Sequence, residues 1–94
     1  MKEKSGRATN YIRNHMANPF LVLELPADSR AEEVERKGRL LLSMLEIGAA
    51  GVSSYETPFG PSERTAEMVR EAMAELRDPD RRLIHEWWAV KEEA

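Results

Sequence analysis

Apolar residues recur at helical spacing in two long stretches, and these stretches predict the main helices of the chain. The first runs from about Asp28 to Ile47, with Ser29 as its predicted cap and Gly48 as its stop. The second runs from Glu63 to about Leu76, with Ser62 as its predicted N-cap. Two long helices joined by a loop of this length bury their apolar faces by lying antiparallel.

Two shorter helices are predicted on either side of this pair. Asn18 is a good N-cap, Pro19 suits a first helical position, and Pro26 stops what precedes it, which predicts one to two helical turns. Asp78-Pro79 opens a last helix. Four large apolar residues in that helix are spaced to pack back on the helix pair: Leu83, Ile84, Trp87 and Trp88.

The N-terminal region has a weaker pattern. Tyr11, Ile12 and Met16 lie on one helical face, which predicts a further short helix over residues 10–17. Residues 1–9 are polar and contain a glycine, so we expect a flexible N-terminal arm.

The segment between Gly48 and Pro61 is rich in glycine, serine, proline and threonine and predicts a loop, which carries Tyr55 and Phe59. No strand is predicted. The chain is therefore expected to be all-α, with a single domain over residues 10–94, because 94 residues suffice for one modest core.

Composition excludes several kinds of site. The chain has no cysteine, which removes disulfides, thiol nucleophiles and cysteine-based metal sites. It has no Gly-rich phosphate loop, no His-Glu-x-x-His and no Gly-x-Ser-x-Gly, and its two histidines are far apart in sequence. We therefore expect no catalytic residue, no cofactor and no bound metal; the chain is not expected to be an enzyme.

Charge also limits the partners. The formal net charge of −3 argues against general nucleic-acid binding. A local group of arginines keeps a nucleic-acid-associated helical domain as an alternative: Arg70, Arg77, Arg81 and Arg82. Acidic residues are interleaved with these arginines, a pattern more typical of a solvated surface. The first residues are charged and no apolar run reaches bilayer length, so a cytoplasmic protein without membrane contact is expected.

Three stretches carry a resemblance to a known family. They are Phe20-Leu21-Val22-Leu23-Glu24-Leu25-Pro26, Ala31-Glu32-Glu33-Val34-Glu35-Arg36, and the region from Val69 to Arg82 with its Leu-Arg-Asp-Pro-Asp-Arg-Arg. In order and spacing they resemble the J domain of DnaJ-type cochaperones, over about Asn18 to Trp88. The resemblance implies a short first helix, an antiparallel pair of longer helices and a short fourth helix.

The resemblance breaks at the residues that define J-domain activity. J domains stimulate ATP hydrolysis by DnaK-type chaperones through a His-Pro-Asp tripeptide after their second helix, and the matching positions here are Glu46-Ile47-Gly48. Glu24 also replaces a glycine usual in the family. The resemblance therefore implies a J-like domain with a degenerate motif, which is not expected to act as a cochaperone in the usual way.

The helix over residues 28–47 carries a second apolar stripe, formed by Leu40, Met44 and Ile47 at positions i, i+4 and i+7. Two interpretations stay open. Either the N-terminal segment or the 48–61 loop covers the second stripe within the chain, or the stripe binds another protein or a second copy. The candidate partner-binding residues are Arg36, Lys37, Arg39, Leu40, Met44, Ile47 and, as a tryptophan with interface character, Trp88.

The expected function is a non-catalytic protein–protein interaction module of J-like fold. A divergent cochaperone that still binds a DnaK-type chaperone through its basic residues is one alternative, and a nucleic-acid-associated domain is the other. The expected partner is another protein or a second copy of the chain.

Overall fold

A computed structural model describes residues 18–93, with side chains described through residue 89. In chain order the elements are α1 (Pro19–Val22), α2 (Ala31–Glu46), β1 (Ser54–Thr57), β2 (Gly60–Glu63), α3 (Ala66–Arg77) and α4 (Pro79–Glu93). The described chain is mostly helical, as expected, but the expectation of an all-α fold holds only in part because β1 and β2 form a small antiparallel sheet. The predicted arm over residues 1–9 and helix over 10–17 lie outside the described residues.

Helix α1 begins as its sequence predicts. The side-chain oxygen of Asn18 accepts a hydrogen bond from the amide of Phe20 at 2.9 Å, and Pro19 occupies the first turn, where its missing amide proton costs nothing. The helix ends at Val22, and Leu23 continues into a turn. This single turn is held by burial, because Phe20, Val22 and Leu23 all lie in the core.

Helices α2 and α3 lie antiparallel. Glu35, near the start of α2, pairs with Arg77 at the end of α3 at 2.7 Å. Between these ends the two helices approach closely, because a Cβ added to Gly38 would lie 2.3 Å from the sulfur of Met73. Glycine at position 38 therefore makes room for Met73 in the core.

The start of α2 differs in detail from the prediction. Arg30 occupies the N-cap position, and its amide donates to Glu33 Oε1 at 2.9 Å. The predicted cap, Ser29, instead donates from its hydroxyl to the carbonyl oxygen of Pro26 at 2.8 Å. Ser29 thus closes the preceding turn, and the helix begins one residue later than a Ser29 cap would place it.

The start of α3 is also displaced. Thr65 is its N-cap, and the threonine hydroxyl accepts from the amide of Met68 at 3.2 Å. The predicted cap, Ser62, lies in β2 opposite Tyr55. The region therefore contains two residues with good capping side chains. Ser62 lies in the paired strand, and Thr65 caps the helix.

The β-hairpin replaces the loop that glycine and serine content predicted. Its strands are joined through Pro58 and Phe59, and the hydroxyl of Thr57 accepts from the amide of Phe59 at 3.1 Å and donates to the carbonyl oxygen of Gly60 at 2.6 Å. Tyr55 points into the core and Phe59 is exposed at the tip. Tyr55 therefore packs the hairpin against the core.

One buried cation joins three parts of the fold. The guanidinium of Arg64 donates to the carbonyl oxygens of Val22 and Val52, both at 2.8 Å, and pairs with Glu24 Oε1 at 2.5 Å. Its side chain is 1% exposed, so these partners satisfy a charge that is almost removed from water. Glu24 has a φ of 55°, a conformation that favours glycine, and its carboxylate reaches Arg64 from there.

The core lies between α1, the α2–α3 pair and the hairpin. Its buried apolar residues are Phe20, Val22, Leu23, Val34, Leu41, Val52, Tyr55, Val69, Ala72, Met73 and Leu76. None of the α4 side chains that the structure describes belongs to this buried set, and Ala89 packs against it, so the last helix lies on the outside of the core.

Candidate functional site

Helix α2 carries most of the predicted binding residues, and its end is fixed by backbone hydrogen bonds. The amide of Gly48 donates to the carbonyl oxygen of Leu45 at 3.2 Å, and the amide of Ala49 donates to that of Met44 at 2.9 Å. This pair of bonds is a Schellman motif, which requires the left-handed backbone that Gly48 adopts at a φ of 68°. Gly48 is therefore the stop that the sequence predicts.

The second stripe is only partly on the surface. Leu40 is 51% exposed and Ile47 is 79% exposed, whereas Met44 is half-buried and packs against the core. The assignment of Met44 to an exposed stripe is therefore wrong in part, because its flexible side chain folds toward the core. The hairpin leaves Leu40 and Ile47 exposed, and the N-terminal segment proposed as their other cover lies outside the described residues.

The basic residues of α2 surround these two apolar side chains. Arg36 and Arg39 are exposed and Lys37 is half-buried. None of the three forms a hydrogen bond or ion pair with another residue whose side chain the structure describes. Because positions 36, 40 and 47 fall on one side of the helix, Arg36 lies in line with Leu40 and Ile47. We call Arg36, Leu40 and Ile47 the α2 surface.

Glu35, the acidic residue within this basic region, pairs with Arg77 of the neighbouring helix α3. Glu35 accepts hydrogen bonds from Arg77 at 2.7 and 2.9 Å. These bonds lower the pKa of the Glu35 carboxyl from its ordinary value, and the nearby charge of Arg39 lowers that pKa further. Glu35 is thus paired with Arg77 of α3, and Arg36 and Arg39 of α2 remain exposed to solvent.

Trp88, the remaining predicted binding residue, lies on α4, away from the α2 surface. It is half-buried, while its neighbour Trp87 is 55% exposed, and their ring centroids are 5.0 Å apart in a T-shaped arrangement. Leu83 and Ile84 are 66% and 58% exposed. The prediction that these residues pack back on the helix pair is therefore wrong for Leu83, Ile84 and Trp87, which are mostly exposed, whereas Trp88 is half-buried. All four line an outward groove of about 430 Å³.

The side of α4 that does contact the fold is polar. Arg82 donates to the carbonyl oxygen of Ala27 at 3.2 Å and to that of Ser29, pairs with Glu86 at 2.7 Å, and lies over the ring of Phe20 at 5.4 Å. These contacts fix the rotation of α4, and the apolar side faces out as a result.

A second set of polar contacts holds α4 to α3. Glu75 accepts from Arg81 at 2.7 Å and lies 3.0 Å from the ring nitrogen Nε2 of His85. The hydrogen bond with His85, followed by that with Arg81, lowers the pKa of the Glu75 carboxyl. His85 is a half-buried part of this contact.

The arginines that suggested a nucleic-acid surface are mostly paired with carboxylates. Arg77 pairs with Glu35, Arg81 with Glu75 and Asp78, and Arg82 with Glu86. Paired guanidiniums have less charge to offer to phosphate groups. The geometry therefore does not favour the nucleic-acid alternative.

The described residues show no constellation typical of a metal site. Among residues 18–93, no group of three or more histidine, aspartate or glutamate side chains is placed to hold a metal ion. In the same range, no helix has both the length and the apolar run that crossing a bilayer requires.

Comparisons with known proteins add no relative. No family model matches the chain, and neither a curated protein nor a solved structure matches it. The function of the chain is therefore inferred from the geometry of its described residues.

Proposed function

We propose that this chain is a non-catalytic protein–protein interaction module with a J-like arrangement of α1 to α4, and that it binds its partner through the α2 surface. The observation that carries the proposal is the exposure of Ile47 and Leu40 in line with Arg36, which has no ion-pair partner in the described chain. Large apolar side chains beside an arginine are typical of interface centres.

The chemistry of this surface specifies the chemistry of the partner. A partner that fits it offers an apolar residue to Leu40 and Ile47 and a carboxylate to Arg36, with further acidic groups toward Lys37 and Arg39. Burial of each aliphatic side chain contributes about 1.5–3 kcal/mol before association costs are subtracted. The charged groups add orientation and a faster association that salt weakens.

Capture of proteins from a lysate of the source cells tests the proposal. The immobilised chain is compared with Ile47→Lys and with Phe59→Lys, which makes the same change at an exposed residue of the hairpin tip. We expect Ile47→Lys to lose a protein that the wild type and Phe59→Lys retain, with all three equally folded by circular dichroism. If both variants capture what the wild type captures, the α2 surface is not the binding site.

A divergent cochaperone is the second candidate, favoured by the unpaired cations of α2. Against it, Glu46-Ile47-Gly48 stand where the resemblance places His-Pro-Asp, and this segment forms the end of α2. A steady-state ATPase assay with a purified DnaK-type chaperone separates the two candidates. Stimulation by the wild type that Arg36→Glu abolishes supports the cochaperone, and an unchanged ATPase rate rejects it.

A further inference from the structure

Four residues at the C-terminal end of α2 have the spacing that receives a side chain from another helix. Leu40, Ser43, Met44 and Ile47 stand at positions i, i+3, i+4 and i+7, the four positions that enclose a hole when helices pack knobs into holes. The amide of Ile47 donates to the carbonyl oxygen of Ser43 at 3.2 Å, so the helical turn includes the last of the four. We call these four residues the α2 hole.

The α2 hole is open to solvent and has an apolar rim. Leu40, Ser43 and Ile47 are exposed, and Met44 is half-buried and packs against the core. Ser43 has the smallest of the four side chains, so it leaves room between Leu40 and Ile47. An aliphatic side chain that enters this room from outside the chain contacts apolar groups of Leu40, Met44 and Ile47.

Unpaired cations lie one helical turn before the α2 hole. A groove of about 400 Å³ at this place is lined by Glu32, Glu35, Arg36 and Arg39. Both of its carboxylates have arginine partners, because Glu35 pairs with Arg77 and Glu32 lies 3.9 Å from Arg30. Arg36 and Arg39 are exposed and have no ion pair in the described chain, so their guanidiniums can pair with carboxylates of a bound molecule.

We propose that the partner binds the α2 surface as an acidic amphipathic helix, which inserts an aliphatic side chain into the α2 hole and pairs carboxylates with Arg36 and Arg39. This inference rests on the proposed function and adds the structural class of the partner. A helix carries side chains at three- and four-residue spacing, so an aliphatic residue and a carboxylate one turn away reach the α2 hole and the two arginines together.

The backbone of α2 argues against an extended peptide as the partner. Extended peptides commonly bind by adding a strand to the edge of a sheet, where backbone donors and acceptors are unpaired. Backbone groups in the middle of α2 are already hydrogen-bonded along the helix. Recognition at the α2 surface therefore depends on side chains, which a helical partner presents on one face.

Charge argues against a second copy of this chain as the partner. Residues 36–47 of α2 contain three cations, Arg36, Lys37 and Arg39, and one carboxylate, Glu46. Two copies that pair through this stretch would bring mostly like charges together, and like-charge contacts disfavour an interface. A separate helix with several carboxylates has the complementary charge.

Fluorescence anisotropy with labelled synthetic peptides tests the inference on the full chain. The first peptide is an alanine-rich helix of about 15 residues, with leucines on one side and glutamates along both edges of that side. The second peptide has lysines in place of the glutamates, and the third has a central proline that breaks the helix. We expect the first peptide to bind the wild type at least about tenfold more tightly than either of the others.

Ser43→Phe tests the α2 hole itself, because it fills the room between Leu40 and Ile47 and leaves their apolar groups in place. The matched control is Ser54→Phe, which makes the same change at an exposed serine of β1. We expect the first peptide to lose at least about tenfold in affinity for Ser43→Phe and to bind Ser54→Phe as it binds the wild type. If circular dichroism shows that Ser43→Phe does not fold, Ile47→Gln takes its place, with the same loss expected.

Several results would overturn the inference. They are absence of binding by the first peptide, equal binding by the lysine or proline peptide, and unchanged affinity for Ser43→Phe. A wild-type dimer in sedimentation velocity that Ser43→Phe dissociates assigns the surface to a second copy and also overturns it. Lysate capture that depends on Ile47, without binding of the acidic helix, keeps the α2 surface as the binding site and rejects only the helical partner. Loss of both rejects the proposed function as well.

Discussion

Helices α2 and α4 are both amphipathic, yet they turn opposite sides toward the fold. Helix α2 buries apolar positions, including Val34 and Leu41, and exposes a surface where cations surround Leu40 and Ile47. Helix α4 instead contacts the rest of the chain through Arg82 and its neighbours and exposes its apolar residues. Apolar periodicity therefore identified both helices but predicted the inward side of only one.

The difference follows from what each helix meets. Helix α2 lies opposite the apolar side of α3, so burial of hydrocarbon decides its rotation. Helix α4 meets the turn before α2, whose carbonyl oxygens at Ala27 and Ser29 accept from Arg82. Leaving buried carbonyls without donors is costly, so hydrogen bonding decides the rotation of α4.

The largest expected effect is on the apolar contact of α2. Leu41→Ala removes a buried side chain and leaves a cavity, so we expect the free energy of unfolding to fall by about 2–5 kcal/mol in urea denaturation. The adjacent Leu40→Ala, at a 51% exposed position, is the control. It is expected to change stability by less than about 0.5 kcal/mol. Equal losses at the two positions would show that α2 buries a different side.

Loss of the polar contacts that hold α4 is expected to cause the next largest fall in the free energy of unfolding. Arg82→Met keeps the hydrocarbon chain and removes the donors to Ala27, Ser29 and Glu86, which we expect to cost about 1.5–3 kcal/mol in the same assay. Arg81→Met removes an exposed pair with Glu75 and is expected to reduce the free energy of unfolding by much less than Arg82→Met. An Arg82→Met chain as stable as the wild type would contradict polar docking of α4.

A substitution at Gly48, at the end of α2, is expected to cause a smaller fall in the free energy of unfolding. Gly48→Ala places a side chain at a φ of 68°, which costs about 1–2 kcal/mol. Nothing lies within 4 Å of the added methyl group, so the loss in thermal or urea denaturation measures backbone conformation alone. A neutral substitution would mean that the Schellman motif rearranges without cost.

The smallest expected effect is the loss of unfolding free energy at low pH that comes from the two ion pairs joining α3 to its neighbours. Glu35 of α2, which pairs with Arg77 of α3, and Glu75 of α3, which contacts Arg81 and His85 of α4, both have lowered pKa values. Their stabilisation is thus present above the ordinary carboxyl pKa of about 4.3 and is lost as the pH falls through the lowered folded-state value. Both side chains are partly exposed, so each contributes about 0.2–1 kcal/mol.

Urea denaturation at pH 7 and pH 3 measures this loss. Glu35→Gln and Glu75→Gln are each expected to reduce the difference in unfolding free energy between the two pH values. The control Glu71→Gln changes an exposed carboxylate that has no ion pair within the described chain. A reduction of the same size in the control would exclude the two pairs as the source of the acid sensitivity.

The helices were predictable because their signals are local. Pro19, Gly48 and the Asp78-Pro79 pair act on the backbone within one turn, and the structure places helix ends at or next to each of them. The hairpin was missed because its strands are short and polar on one side, and their stability comes from contacts such as that of Tyr55 with the core. Such contacts join residues far apart in sequence and leave no periodic pattern.

The candidate site was predictable only in part. Periodicity identified the stripe of Leu40, Met44 and Ile47 but left open whether the chain covers it. The structure exposes Leu40 and Ile47, whereas Met44 packs against the core. The outward position of Leu83, Ile84 and Trp87 was not predicted, because the polar partners of Arg82 lie more than fifty residues earlier in the chain. Trp88 was chosen as the binding residue, and the more exposed tryptophan is Trp87.

Arg64 also determines which part of the chain tolerates a change in length. Arg64 directly follows β2, and its bond to the carbonyl oxygen of Val52, just before β1, closes the base of the hairpin whatever the number of residues between the strands. Its bond to the carbonyl oxygen of Val22 attaches that base to α1. Residues inserted after Phe59, at the exposed tip, lengthen a closed loop, and each doubling of loop length costs only about 0.6 kcal/mol. The tip is therefore the position at which a reporter peptide can be inserted without disturbing either helix surface.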